Sequence, residues 1–417
     1  MVLGTPGPAA PDGRDTDLPS PANPPRRRHW LNRRRLKAYP WLFLAAFALI
    51  AGAWVLRSDL GLDVEGKPLG YDFVSFWSAS SLALEGQAAA SYQPERILEA
   101  GRRAIPDLET RYIWSYPPTF HLVVLPLGLL PFMWGYLLWF LVWLIPFLAV
   151  IRKLAPAPET LMLALAFPGT LLNLAQGQNG LMIAALFGGA MLLLDRRPIL
   201  AGILIGLMSC KPQFGLLIPI ALVFGRRWVA FAAAAVTTLA FAAVSLLAFG
   251  AEDWLAFFAN LEFATAVLED GRLPWAKMPS LFAALRLIGT PVDWAYAAQG
   301  AVALVAAVAV ALVWWRRVPL PLAAAVLTSG ALLVSPHVND HDLALLAVPI
   351  ALIAWHAQQV GWLRGEREIL AIAWLAPVIT AIIAEPTRLQ VGFLCLLALF
   401  ALAVKRALGA PSSQAAG

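Results

Sequence analysis

RRWVAFAAAAVTTLAFAAVSLLAFG, residues 226–250, decides the class of fold. After two arginines the chain runs from Trp228 to Phe249 without a charge. About 20 apolar residues in a helix cross the hydrocarbon core of a bilayer. The run is continuous rather than alternating, which selects a helix over a barrel strand. Arginines and a tryptophan at its start suit the membrane–water boundary.

The same pattern recurs along the chain. Comparable apolar segments lie near 40–56, 117–131, 133–151, 159–175, 180–194, 199–209, 213–224, 293–314, 319–334, 341–357, 368–384 and 388–404. Of the 417 residues, 60% are hydrophobic and 13% charged. A soluble domain carries about a quarter charged residues. These runs predict an all-α, polytopic integral membrane protein, one helical bundle of about 10–13 transmembrane helices with short helices in its outer loops. Cys210 and Cys395 both fall in apolar segments and give neither a disulfide framework nor a zinc spacing.

Residues 1–25 are rich in Pro, Gly, Ala and Asp and read as a disordered tail. RRRHWLNRRRLK, residues 26–37, abuts the first apolar segment and reads as the cytoplasmic flank of an uncleaved helix. A nucleic-acid arm would not sit against a membrane helix, so nucleic acid is not an expected partner. Residues 38–407 then form one membrane domain, and 408–417 a flexible tail. Further basic clusters at 152–153, 196–197, 226–227, 316–317, 364 with 367, and 405–406 mark the cytoplasmic side. The loops 57–115 and 250–292 fall on the other side, together with SPHVNDHD, residues 335–342. Two counts stay open. In one, 117–151 crosses once with a re-entrant piece broken at Pro131, and 199–224 turns back at Lys211-Pro212. In the other, 117–151 is a hairpin and 199–224 one kinked helix. Sidedness after residue 225 is the same in both.

Five polar stretches interrupt the apolar sequence. YDFVSFWSAS, residues 71–80, holds Asp72 among Tyr71, Phe73, Phe76 and Trp77. Partial desolvation raises the basicity of such an acid and suits a proton acceptor. The rings beside it are available to a sugar face or a lipid chain; the plain alternative is a solvated loop acid. RYIWSYPPTFHLVVLPLGLLP, residues 111–131, holds Arg111, Tyr116 and His121 around a stiff Pro117-Pro118. His121 reads most simply as a buried, hydrogen-bonded residue. NLAQGQNG, residues 173–180, carries Asn173, Gln176, Gln178 and Asn179. These amides either satisfy one another where helices meet or bond sugar hydroxyls.

SCKPQFG, residues 209–215, places Lys211 beside Gln213 in a long apolar stretch. A cation there is expected to have a partner or a function, and it suits a lipid phosphate. Its plain alternative is a snorkelling lysine. LLVSPHVNDHDLALLAVP, residues 332–349, crowds Ser335, His337, Asn339, Asp340, His341 and Asp342 between two apolar runs. It lacks the HExxH zinc pattern, so substrate or phosphate contact is preferred to metal. A polar cap on the following helix is the simpler role for Asn339 or Asp340. No metal or other cofactor is expected. There is no Walker loop, no GxGxxG after a strand and no nucleophile elbow. A donor drawn from the membrane fits better than a soluble nucleotide.

The order of a basic flank, a first helix, an Asp in an outer loop, YPP, GQN, KPQ and SPH…HDL resembles the bacterial integral-membrane glycosyltransferases of family 87. These belong to the GT-C superfamily and include polyprenol-phosphate-mannose-dependent α-1,2-mannosyltransferases. The resemblance covers residues from about 40 to 405 and fails over the N-terminal tail. It implies a bacterial plasma-membrane enzyme, N-terminus cytoplasmic, acting at the extracytoplasmic face. Its partners would be a polyprenyl-phosphate sugar donor, a lipid or glycan acceptor and membrane lipids. It further implies inversion, with Asp72 as general base, and a hexose such as mannose. The donor phosphate, a good leaving group, calls for a cation, Lys211 or Arg111, rather than a general acid. One carboxylate then suffices where a glycosidase uses two. His337, His341 and Asp342 match the family's polar SP…HH or SP…YD segment, here with HD. Tyr71, Trp77, Tyr116, Gln178, Asn179 and Gln213 complete the expected substrate contacts. A transporter or flippase of lipid-linked glycans would use the same cations and amides, although no inverted repeat is evident.

Overall fold

The computed structural model describes residues 29–57 and 68–410. Residues 1–28 and 411–417, most of the two expected tails, lie outside the described residues, as do 58–67 of the first outer loop. The first helix, Arg33–Arg57, starts inside the basic block. The last, Val391–Gly409, ends within the segment read as C-terminal tail.

Among the described residues, seven helices are long and apolar enough to cross a membrane: Arg33–Arg57, Phe132–Leu154, Trp228–Phe249, Val292–Trp315, Asp340–Val360, Glu366–Thr387 and Val391–Gly409. Shorter apolar helices, Gly180–Leu193, Pro198–Cys210, Pro212–Phe224 and Leu320–Val334, pack among them. Proline opens several elements in the first turn, where its missing N–H costs nothing. Gly177, left-handed at φ 73°, ends Pro168–Gln176.

Contacts between element ends decide how the chain runs. Asp195 Oδ1 lies 2.7 Å from Arg227 Nη2, so the two ends of 198–224 meet at one end of the bundle. A Cβ on Gly202 would strike Ala230 and Ala233, and one on Gly206 would strike Thr237. Pro198–Leu207 therefore runs beside the first half of Trp228–Phe249 in the same direction, at a close approach that small residues permit. The chain turns at Lys211 and comes back, so 198–224 is not one kinked helix.

The 117–154 region resolves in the same way. Val150 and Leu154 approach Gly188 near one end of the bundle, while Gly135 lies against Leu127 and Phe73 at the other. Phe132–Leu154 thus runs the length of the bundle once. The short piece before it stays at that second end, where Ser80 Oγ accepts from the Gly128 N–H and donates to the Leu125 carbonyl, both at 2.8 Å.

The basic end is stapled by an ion pair from Arg33 Nε to Glu159 Oε1 at 2.6 Å, a contact of His29 Nε2 with Glu368 Oε1 at 2.8 Å, and a buried Arg406–Glu366 pair. The opposite end carries a further layer of helices: Phe73–Leu84, Pro94–Arg102, Ala251–Glu269 and Leu281–Leu287. Beneath it Phe76 meets Trp114, Tyr116, Phe120 and Trp139 edge-on. That geometry is the favoured one for aromatic quadrupoles.

Candidate active site

Asp72 sits just before helix Phe73–Leu84, yet its side chain does not cap that helix. Instead, Oδ2 accepts a hydrogen bond from Gln178 Nε2 at 2.9 Å. The backbone is stitched to the same turn: Gly70 N–H donates to the Ala175 carbonyl at 3.1 Å and Asp72 N–H to that of Gln176 at 3.0 Å. Gly177 makes this docking possible. Its φ is left-handed, and a Cβ there would overlap Phe73.

Each of the next amides holds a different ionisable group. Gln178 Oε1 accepts from Tyr116 Oη at 3.3 Å. Asn179 Oδ1 accepts from Lys211 Nζ at 2.9 Å, and the same ammonium lies 2.5 Å from Asp342 Oδ1. Gln176 Oε1 pairs with His341 Nδ1 at 3.0 Å, and Gln176 Nε2 reaches Asp340 Oδ1 at 3.4 Å. Asn173 is the structural member: Nδ2 donates to the His341 carbonyl at 2.8 Å, and Oδ1 accepts from the Gly180 N–H at 2.7 Å. The amide stretch 173–180 and the polar stretch 335–342 are therefore one hydrogen-bonded unit. Asp342 also closes a capping box with Asn339, whose N–H it accepts at 2.9 Å.

The environment sets protonation. Burial, then the Asp72 charge, pushes the Tyr71 phenol well above its usual range. Burial, then the charges of Asp342 and Asp72, does the same for Tyr116. Both remain hydrogen-bond donors at neutral pH. Burial pulls the His337 imidazole down, so it stays neutral there.

Several residues expected at the site lie elsewhere. Arg111 is exposed and sits 3.5 Å from Glu95. Trp77 donates from Nε1 to the Leu130 carbonyl at 2.9 Å and packs edge-on against Phe132. Phe73 and Phe76 are fully buried core residues rather than rims of a sugar site. The first turn of the helix carries both of them inward. Gln213 is half-buried beside Lys211 in the chain. Among the described residues, no group of three or more His, Cys, Asp and Glu is arranged to hold a metal ion.

One cation was not singled out in the sequence. Lys277 closes the turn Trp275–Lys277 in the 250–292 loop. Gln390 Nε2 anchors that turn by donating to the Trp275 and Ala276 carbonyls at 3.0 and 3.1 Å. The turn and the 340–346 stretch both pack on helix Glu366–Thr387. The half-buried Lys277 ammonium acts electrostatically on Asp340 and His341. Only the folded chain brings it there, some sixty residues from the nearest site residue in sequence.

Fold and site together define a polytopic helical membrane protein with an ionisable cluster at one end of its bundle. Residues 114–336 match glycosyltransferase family 87, and the chain belongs to this family. No curated protein and no solved structure matches it. The matched residues include Tyr116, Gln178, Asn179, Lys211 and Lys277. Asp72 precedes them, and His337, His341 and Asp342 follow.

Proposed function

We propose that the protein transfers a sugar, a hexose such as mannose, from a polyprenyl phosphate to a hydroxyl of a lipid or glycan acceptor. The reaction runs with inversion, at the end of the bundle away from the basic pairs, which is the extracytoplasmic face of the plasma membrane. The observation that carries this reading is the placement of acid and cation on consecutive amides. Gln178 holds Asp72, and Asn179 holds Lys211, each at 2.9 Å.

Asp72 accepts the acceptor's hydroxyl proton as that oxygen attacks the anomeric carbon. The bond from that carbon to the phosphate oxygen breaks, and its electron pair leaves with the phosphate. A phosphate leaving group needs positive charge rather than a proton. Lys211 has much of its charge balanced by Asp342, so Lys277 is the stronger candidate to meet the phosphate, with Lys211 behind it. Tyr71, Tyr116 and His337, all held neutral, supply uncharged contacts to sugar and acceptor. Arg111, on the surface beside Glu95, has no part in this scheme.

A donor screen tests it. Purified protein in nanodiscs is given polyprenyl-phosphate hexoses or nucleotide hexoses with a lipid acceptor fraction, and products are read by mass spectrometry. Transfer from the lipid-linked donors alone is expected. Transfer from nucleotide sugars, with none from polyprenyl phosphates, would overturn the reading.

A further inference from the structure

A second ionisable cluster lies outside the candidate site. His121 Nε2 is 3.2 Å from Ser91 Oγ, and His121 Nδ1 is 3.2 Å from Asp253 Oδ2. The order of groups is that of a Ser–His–Asp relay. All three are fully buried, so no substrate reaches the serine and hydrolysis is unsupported. Neither Asp253 oxygen receives a well-formed hydrogen bond, which leaves a buried carboxylate dependent on one ring nitrogen. Such a group is costly to bury and calls for an explanation.

Its placement offers one. Ser91 comes from the first outer loop, His121 from the helix opened by Pro117-Pro118, and Asp253 from the first turn of Ala251–Glu269. The His121 ring stacks on Trp114, with centroids 4.9 Å apart and planes at 28°. Two turns along the loop helix, Asn260 Nδ2 donates to the Trp114 carbonyl at 3.1 Å. From the other side, Tyr92 Oη donates to the Tyr116 carbonyl at 2.9 Å. The 114–116 segment is thus gripped on both sides. It presents the Tyr116 hydroxyl to Gln178, which holds Asp72.

We propose that Asp253 and His121 are a positioning pair, clasping helix Ala251–Glu269 onto the Trp114–Tyr116 segment and so fixing Tyr116, Gln178 and the Asp72 carboxylate. The effect on turnover rests on the transfer reaction proposed above; the clasp itself does not. Amide hydrogen exchange and steady-state kinetics on the full-length protein in nanodiscs test both parts. The variants are Asp253→Asn, His121→Phe, which keeps a ring on Trp114, and Asn260→Ala. Exchange in peptides covering 111–117 and 251–262 is expected to rise about tenfold, with peptides from 292–315 unchanged. The kcat falls about tenfold while the donor KM stays near wild type. Asp253→Glu recovers part of both. Should Asp253→Asn and His121→Phe fail to fold, Asn260→Ala removes a single bond and still reads out the clasp. Wild-type exchange and kcat in the folded variants overturn the proposal. A lower melting temperature with unchanged exchange ratios and kcat also overturns it, since that marks a purely structural pair. If wild-type protein transfers no sugar, the reaction fails while the exchange data still decide the clasp.

Discussion

Lys211 Nζ lies 2.5 Å from Asp342 Oδ1, and both side chains are almost sealed from the outside. The pair joins the tip of the returning segment 198–224 to the first turns of helix Asp340–Val360. Removing one member strands a buried charge, which typically costs about 3–5 kcal/mol. Lys211→Met should therefore unfold at a markedly lower temperature in detergent. Lys211→Met combined with Asp342→Leu should regain most of that stability, because an apolar pair needs no desolvation. It should not regain sugar transfer. A double variant that transfers at the wild-type rate would reduce the pair to packing.

Asp72→Asn keeps shape and the bond from Gln178 but removes the proton acceptor. A positioned general base contributes about 10²–10⁴-fold. Transfer should fall by at least about a hundredfold, while binding of the lipid donor, followed by native mass spectrometry, persists. A near-wild-type rate in this variant would sink the proposed mechanism.

Much of the fold was legible because prolines, glycines and charges punctuate apolar runs. The segment read as 228–249 is the helix Trp228–Phe249. What the sequence left open was long-range. Whether 198–224 is a kinked helix or returns on itself depends on Asp195 meeting Arg227 and on glycines 202 and 206 meeting a later helix. The amide stretch was recognisable as polar, but its partners lie on other elements. Gln176, for instance, bonds residues more than 160 positions away. Of the aromatics around Asp72, Phe73 and Phe76 face the core, because period-3.6 geometry turns both inward. Lys277 carried no local signal at all, since its meaning comes from the turn that Gln390 anchors.

Lys277→Ala should weaken donor binding and also slow transfer, because the phosphate it meets is the leaving group. Hydrogen bonds to charged groups contribute about 1.5–3 kcal/mol, or roughly a tenfold to hundredfold rise in donor KM. Lys277→Arg should restore much of it, and the wild-type donor KM should rise with salt. Kinetics with varied polyprenyl-phosphate sugar decide this. An unchanged donor KM in Lys277→Ala would remove this residue from the phosphate contact.

His337 makes stability depend on pH in a defined direction. Burial holds its imidazole below the ordinary value of 6.5. Below that value the unfolded chain binds a proton that the folded protein resists, so stability rises with pH there. The contribution is complete above the ordinary value and declines as pH falls through it toward the depressed folded value. His337→Gln removes this linkage and keeps a polar side chain. Melting temperatures in detergent from pH 8 down to pH 5 should fall more steeply for wild type than for the variant. The two curves should run parallel above about pH 7, where both imidazole states are neutral. Parallel curves throughout would mean that His337 takes up its proton as readily folded as unfolded, and that its neutral form has no special place in the site.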